Sequence, residues 1–300
     1  MSAEIVTIDS VHSERGKFAS YIELTKPRIS IMVLVTVAVA AYVASPAGLG
    51  IWTVVHAIIG TFLIASSGSA LNQYIERFSD FAMARTARRP LPAQKLSAME
   101  VAKFGTITFG IGMVYLATTV NLLAALFGLL SWIIYVWIYT PLKRHSWLNT
   151  VVGAVSGAMP ILIGWSATQH GHAGIAIAFF AVLFIWQFPH FMAIAWKYRD
   201  DYQQAGLKML TNVEPTGVAA GWCAVLMAAI LLPVSLVPVF WMGNLDWIFA
   251  GIALGLGLVY LYYSVSFLRE RNLRTAKSLL RSSLIYLPAY MLILVLGCKF

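Results

Sequence analysis

The chain has 300 residues, 60% of them hydrophobic and 11% charged, with a mean hydropathy of +0.78; soluble domains carry roughly 25% charged residues, so this is an integral membrane protein. The net charge of +9 takes its meaning from how Lys and Arg are distributed over the loops, not from a nucleic-acid partner. Cys223 and Cys298 are the two cysteines, which excludes a disulfide framework and a CxxC metal motif.

Residues 1–20 hold Glu4, Asp9 and Glu14 and no apolar core, unlike a secretory signal or an acid-poor transit peptide. They are expected to form a flexible cytoplasmic tail, with one domain over 21–300. A membrane-spanning helix needs about 20 apolar residues, and nine such runs follow near 28–45, 51–72, 98–118, 121–140, 149–168, 174–196, 216–241, 246–268 and 279–298. The connections after the first, third and fifth runs carry no Lys or Arg; His170 and His172 in the last of these read as solvated, since two histidines need a third ligand to hold a metal. The other connections hold Arg77, Arg85, Arg88, Arg89 and Lys95, then Lys143 and Arg144, then Lys197, Arg199 and Lys208, then Arg269, Arg271, Arg274 and Lys277. Basic loops stay cytoplasmic, so the alternation predicts a multi-pass protein of a bacterial inner membrane, N-terminus cytoplasmic and C-terminus periplasmic. Loops 73–97 and 197–215 recur four spans apart, which suggests two halves that each deliver one loop to a shared mouth.

Asn72, Glu76 and Asp80 are spaced i, i+4 and i+8, one helical face over about 12 Å. Oxygen donors on a common face suit Mg²⁺, which takes one or two carboxylates and shares its other positions with phosphate oxygens and water. Arg85, Arg88 and Arg89 lie just beyond, and planar guanidinium groups suit bidentate phosphate binding. The set reads as a diphosphate pocket. A structural alternative pairs Glu76 and Asp80 with Arg77, Arg85 or Lys95 at a solvated helix end; clustering at one membrane depth weighs against it. In the second loop Asp200 and Asp201, flanked by Lys197, Arg199 and Lys208, offer further cation and phosphate ligands. His190 lies deep enough in the sixth run to face a cytoplasmic cavity, and Pro189 is expected to interrupt the helix beside it. Imidazole is a common haem ligand; the alternative is a hydrogen bond to a neighbouring helix.

The run Asn72-x3-Glu76-x3-Asp80, followed by Arg85-Thr86-x-Arg88-Arg89-Pro90-Leu91-Pro92, resembles the first aspartate-rich motif of the UbiA-type intramembrane prenyltransferases. The likeness extends from Leu24-Thr25-Lys26-Pro27-Arg28 to the ninth run. Tyr139 to Arg144, Trp186 to Phe191, and Tyr198-Arg199-Asp200-Asp201-Tyr202 with Ala205-Gly206 are similar to the haem-farnesylating branch of that family. The resemblance implies an all-α membrane protein of nine transmembrane helices bundled around a central cavity open to the cytoplasmic side. It implies farnesyl transfer from farnesyl diphosphate to a vinyl group of haem B, with addition of water to give the hydroxyethylfarnesyl side chain of haem O. Haem B is then substrate rather than cofactor, and Mg²⁺ is the cofactor. By position, Asn72, Glu76 and Asp80 become catalytic residues and metal ligands, Arg88 a diphosphate ligand, and Asp200 and Asp201 the second-motif carboxylates. Arg85, Arg89, Lys197 and Lys208 complete the diphosphate set and His190 the haem contact. Haem A synthase or terminal oxidase assembly is the implied protein partner, with lipid around the bundle and no nucleic acid. Glu stands at position 76, where many members have Asp, and Tyr198 and Tyr202 stand where regular second motifs have carboxylates; both departures favour a single Mg²⁺.

Prenylation of a quinone precursor or a tetrapyrrole alcohol remains the nearest rival within that family. From other classes, a transporter of anionic metabolites also places arginines and carboxylates at a cavity, and an oxidase assembly factor needs no such helical-face spacing.

Overall fold

Each apolar run folds as a helix, and local sequence explains where several begin. The computed structural model describes residues 16–45, 48, 50–168, 172–241 and 247–297; the tail up to residue 15, His170 and Cys298 lie outside them. Helix α1 (Gly16–Leu24) meets α2 (Pro27–Val43) at a 47° bend, so the expected tail boundary at residue 20 falls inside a helix. Pro27 occupies the first turn of α2, where its missing N–H costs no hydrogen bond. After α3 (Ile51–Ile75) and the short α4 (Arg77–Ala82), α5 (Ala98–Thr119) opens on a capping box. There Ser97 Oγ accepts from the Glu100 N–H at 3.2 Å and the Ser97 N–H donates to Glu100 Oε2 at 2.8 Å. Asn121 caps α6 (Leu122–Ile133) by accepting the Ala124 N–H at 2.7 Å.

The same span continues through a π-helical segment, Ile134–Tyr139, into α7 (Thr140–Leu142). There follow α8 (Asn149–Thr168), α9 (Ala173–Lys197), the short α10 (Arg199–Gln204) and α11 (Leu210–Val213), then α12 (Val218–Trp241), α13 (Trp247–Glu270) and α14 (Leu273–Gly297). Among the described residues eight helices are long and apolar enough to cross a membrane, and the spans number nine if the bent pair α1 and α2 counts as one. α9 runs unbroken through Pro189, so the expected interruption does not occur.

In a bilayer the hydrophobic effect does not drive helices together, so close packing and buried hydrogen bonds must. α3 approaches α5 at small residues: a Cβ on Gly105 would lie 2.7 Å from Leu71 Cγ, and one on Gly112 2.9 Å from Leu63 Cβ. On the other side α9, α12, α13 and α14 share the main apolar core, stitched by aromatic donors. Trp186 Nε1 donates to the Ser283 carbonyl at 3.0 Å, Tyr260 Oη to the Trp186 carbonyl at 3.0 Å, and Tyr290 Oη to the Ser235 carbonyl at 2.8 Å. Each bond removes a polar group from hydrocarbon, where an unpartnered one is costly. Leu122, Val114, Trp222, Ile230 and Ile285 are exposed, as expected of a lipid-facing surface.

Candidate active site

Three of the basic loops, those of 73–97, 141–148 and 197–215, come together at one end of the bundle. The Arg85 guanidinium lies over the Tyr198 ring at 4.7 Å and the Tyr202 ring at 5.9 Å, joining the first long loop to the second. The Lys208 N–H donates to the Lys143 carbonyl at 2.7 Å, and Asn149 Nδ2 donates to the Lys208 carbonyl at 3.0 Å. These contacts roof a polar cavity of about 230 Å³.

Asn72, Glu76 and Asp80 all line that cavity. α3 ends at Ile75 and α4 begins at Arg77, yet the i+4 register survives the break: the Glu76 N–H bonds the Asn72 carbonyl at 2.9 Å and the Asp80 N–H the Glu76 carbonyl at 2.7 Å. The face predicted from spacing therefore holds. Each member carries its own cation. Lys26 Nζ donates to Asn72 Oδ1 at 2.8 Å, Lys143 Nζ lies 2.7 Å from Glu76 Oε1, and Arg89 Nη1 donates to Asp80 Oδ2 at 2.6 Å. Asn72, Glu76 and Asp80 are buried, Asp80 at 0% exposure. With Arg85, four cations face two carboxylates across the cavity, an excess of positive charge suited to a diphosphate.

Burial alone would raise the Glu76 carboxyl, but the adjacent Lys143 ammonium holds it below the usual carboxylate value. Burial likewise works against the Lys143 charge, and Glu76 outweighs it and keeps the ammonium above its ordinary value. At Asp80 burial wins over Arg89 and pushes the carboxyl up. Asp80 Oδ1 is buried without a hydrogen-bond partner, an oxygen left for a ligand. Among the described residues no three His, Cys, Asp or Glu side chains converge; the donor set is two carboxylates and one amide, which fits an ion that takes its remaining oxygens from substrate and water.

A second, apolar cavity of about 300 Å³ adjoins the first. Lys26, Ile29, Tyr135, Tyr139 and Phe191 line both. The Tyr135 and Tyr139 rings stack 5.5 Å apart at this neck, and Lys143 Nζ sits 4.4 Å above Tyr139. The π-helical segment positions them: its wide turn lets Thr140 Oγ1 donate to the Tyr135 carbonyl at 2.8 Å, while the same oxygen accepts Asn72 Nδ2 at 3.1 Å. From the neck the apolar cavity runs down α3 to Thr61, about 16 Å from Asn72 at 1.5 Å per residue. Ile29, which lines both cavities, is itself 63% exposed beside α2.

The remaining sequence-predicted residues sit elsewhere. Asp200 and Asp201 line neither cavity: they occupy the first turn of α10, where a helix N-terminus favours carboxylates, and Asp200 is exposed beside Arg199 at 3.5 Å. Tyr198 and Tyr202, two residues to either side of Asp200 and so on the opposite face, meet Arg85, and Tyr202 enters the cavity wall. Arg88 and Lys208 are exposed outside the lining, and Lys197 lies over Tyr198 at 4.6 Å. His190 Nδ1 meets Ser283 Oγ at 2.8 Å, and its ring stacks on Trp186 at 4.9 Å. It lines neither cavity but adjoins Phe191, which lines both, with ring centroids 5.7 Å apart. Lys26, Tyr139 and Lys143 entered the sequence reading only within phrases of family likeness or as loop charge, without a role in the site, and Tyr135 did not enter it. The spacing Tyr135-x3-Tyr139-x3-Lys143, one helical face ending in a cation, was the available signal.

The sequence profile of the UbiA prenyltransferase family matches residues 33–287. The protoheme IX farnesyltransferase of Solibacter usitatus is 42% identical over 277 residues, covering 89% of this chain and 94% of that protein. That of Rhodopirellula baltica is 40% identical over 284 residues, covering 92% and 98%. Among solved structures, a digeranylgeranylglyceryl phosphate synthase superposes with a TM-score of 0.78 at 16% identity, covering 94% of this chain and 98% of that one. A UbiA homolog from Archaeoglobus fulgidus bound to DMAPP and Mg²⁺ does so at 0.71 and 16%, covering 92% and 99%. The profile spans most of the chain and the relatives are similar nearly end to end: the chain belongs to the UbiA prenyltransferase family.

Proposed function

We propose that this chain converts haem B to haem O by moving farnesyl from farnesyl diphosphate to a haem vinyl group. The observation that carries the chemistry is the adjoining cavity pair: a cation-rich head chamber shares an aromatic wall with an apolar chamber deep enough for a prenyl tail. The relatives named for protoheme IX farnesyl transfer supply the acceptor.

Asn72, Glu76 and Asp80 would hold Mg²⁺, which when bound offsets diphosphate charge and makes it a better leaving group. Arg85, Arg89 and Lys143 bind the diphosphate oxygens and stabilise the charge that grows there as the allylic C–O bond breaks. Tyr135 and Tyr139 present π faces to the farnesyl cation at the neck, while the apolar chamber keeps bulk water from it. The vinyl carbon then attacks farnesyl C1, positive charge moves to the carbon next to the porphyrin, and one water adds there with loss of a proton. No redox cofactor is needed. Arg88, Lys197 and Lys208 steer the anionic substrate at the mouth, and Asp200 and Asp201 hold α10 so that Tyr202 faces inward. His190, held by Ser283, ligates or orients the haem iron. The helices from α1 onward act as one domain in a bacterial inner membrane, with a cytoplasmic N-terminus and periplasmic C-terminus, and deliver product to haem A synthase or terminal oxidase assembly.

Pigments extracted from cells overexpressing the chain, with haem and farnesyl diphosphate synthesis intact, should contain farnesylated haem; its absence would sink the assignment. His190→Ala should shift the absorbance band of added haem B and weaken its binding by about 10–100-fold, the scale of a disturbed metal ligand shell. An unchanged spectrum would leave His190 a packing residue. Gly153→Ala places a Cβ 2.7 Å from the Tyr139 ring and must displace it. Transfer should slow by about 10²-fold, as expected for a misplaced reacting group, with haem absorbance unaltered.

A further inference from the structure

Lys26 is distinctive among the described residues that line either cavity: it alone combines a non-glycine side chain with a left-handed backbone, φ 50°. Gly or Asn would adopt that conformation with less strain, and strain of this kind concentrates where function requires it. The turn that carries Lys26 is fastened on both sides. Gln73 Nε2, next to Asn72, donates to the Leu24 carbonyl at 3.1 Å, and Ser30 Oγ donates to the Thr25 carbonyl at 2.6 Å. The ammonium is thereby delivered to Asn72 Oδ1 at 2.8 Å.

The amide receiving it is fixed as well. Asn72 Nδ2 is committed to Thr140 Oγ1 at 3.1 Å, whose own hydrogen goes to the Tyr135 carbonyl. Asn72 Oδ1 therefore points into the cavity and meets the ammonium there. An ammonium at hydrogen-bond distance and a divalent ion on the same oxygen would repel strongly at low dielectric, so the two compete for it. Lys26 also lines the neck shared by both cavities, within reach of a diphosphate bound beside Tyr139.

We propose that Lys26 is an exchangeable resident cation of the metal site: its ammonium holds Asn72 Oδ1 until metal and diphosphate arrive together, then moves to a diphosphate oxygen. Metal alone meets a defended site. Metal accompanied by diphosphate gives the displaced ammonium a new partner, so each ligand strengthens binding of the other. This inference rests on Asn72, Glu76 and Asp80 being the metal ligands.

The test is binding of Mn²⁺, followed by electron paramagnetic resonance, to the purified full chain with and without inorganic pyrophosphate. Wild-type protein should bind Mn²⁺ alone weakly and bind it far better with pyrophosphate. Lys26→Met should tighten binding of Mn²⁺ alone by about tenfold, a usual scale for coupled sites, and shrink the pyrophosphate effect by a similar factor. Lys26→Arg, which keeps the charge, should behave like wild type for metal alone. If wild type shows pyrophosphate-dependent Mn²⁺ binding and Lys26→Met binds metal alone no tighter, the exchange is wrong although the metal assignment stands. If wild type binds no Mn²⁺ under either condition, the metal assignment fails and takes the exchange with it. Lys26→Gln provides the same readout should Lys26→Met not purify as a folded protein.

Discussion

Asp80→Asn is expected to reduce farnesyl transfer by about 10²–10³-fold, the scale of losing one preorganised charge-stabilising group, in an assay with labelled farnesyl diphosphate and haem B. Asp80 is fully buried, gives one oxygen to Arg89 at 2.6 Å and keeps the other without a partner. Asparagine preserves shape but removes the charge, so the metal loses an anionic donor and Arg89 loses the group that orients it. A transporter built on the same fold would make no prenylated product before or after the substitution. Near wild-type turnover in Asp80→Asn would remove Asp80 from the mechanism.

Lys143→Met should be the most destabilising change at the site. It leaves Glu76 buried without its counter-charge, and breaking a buried ion pair from one side costs about 3–5 kcal/mol. The double variant Glu76→Gln with Lys143→Met should recover part of that loss, because it removes both charges. Thermal unfolding in detergent of the wild type, both single variants and the double variant closes the cycle. A coupling of about 0.5–3 kcal/mol is expected for groups in direct contact, and strictly additive losses would show that the 2.7 Å contact contributes nothing. Both single variants should also lose transfer activity, since Glu76 is a proposed metal ligand and Lys143 a proposed diphosphate ligand.

The spans were legible because bilayer thickness sets a length that apolar runs either meet or miss, and the alternation of basic loops checks their number. The face formed by Asn72, Glu76 and Asp80 was legible for a similar reason: helical periodicity is local, and it persists through the junction at Glu76. What spacing could not give is which cation each oxygen meets. Lys26 is 46 positions from Asn72 and Lys143 is 67 from Glu76, and only the packing of α2 and the π-helical segment against α3 brings each to its partner. Asp200 and Asp201 were drawn into the site by charge and by their likeness to the family's second motif. With Tyr198 and Tyr202 of that loop set against Arg85, Asp200 is left exposed and Asp201 half-buried, and neither lines the cavity. His190 illustrates the same limit, because depth along α9 is readable from sequence whereas its partner on α14 is not.

The most direct measurement is mass spectrometry of the haem made by purified protein from haem B and farnesyl diphosphate, with Mg²⁺ present or chelated. Haem of increased mass, carrying one farnesyl group and one hydroxyl, should form with Mg²⁺ and fall away when the ion is removed. Haem B recovered unchanged under both conditions, from protein that is folded and binds both substrates, would contradict the proposed function.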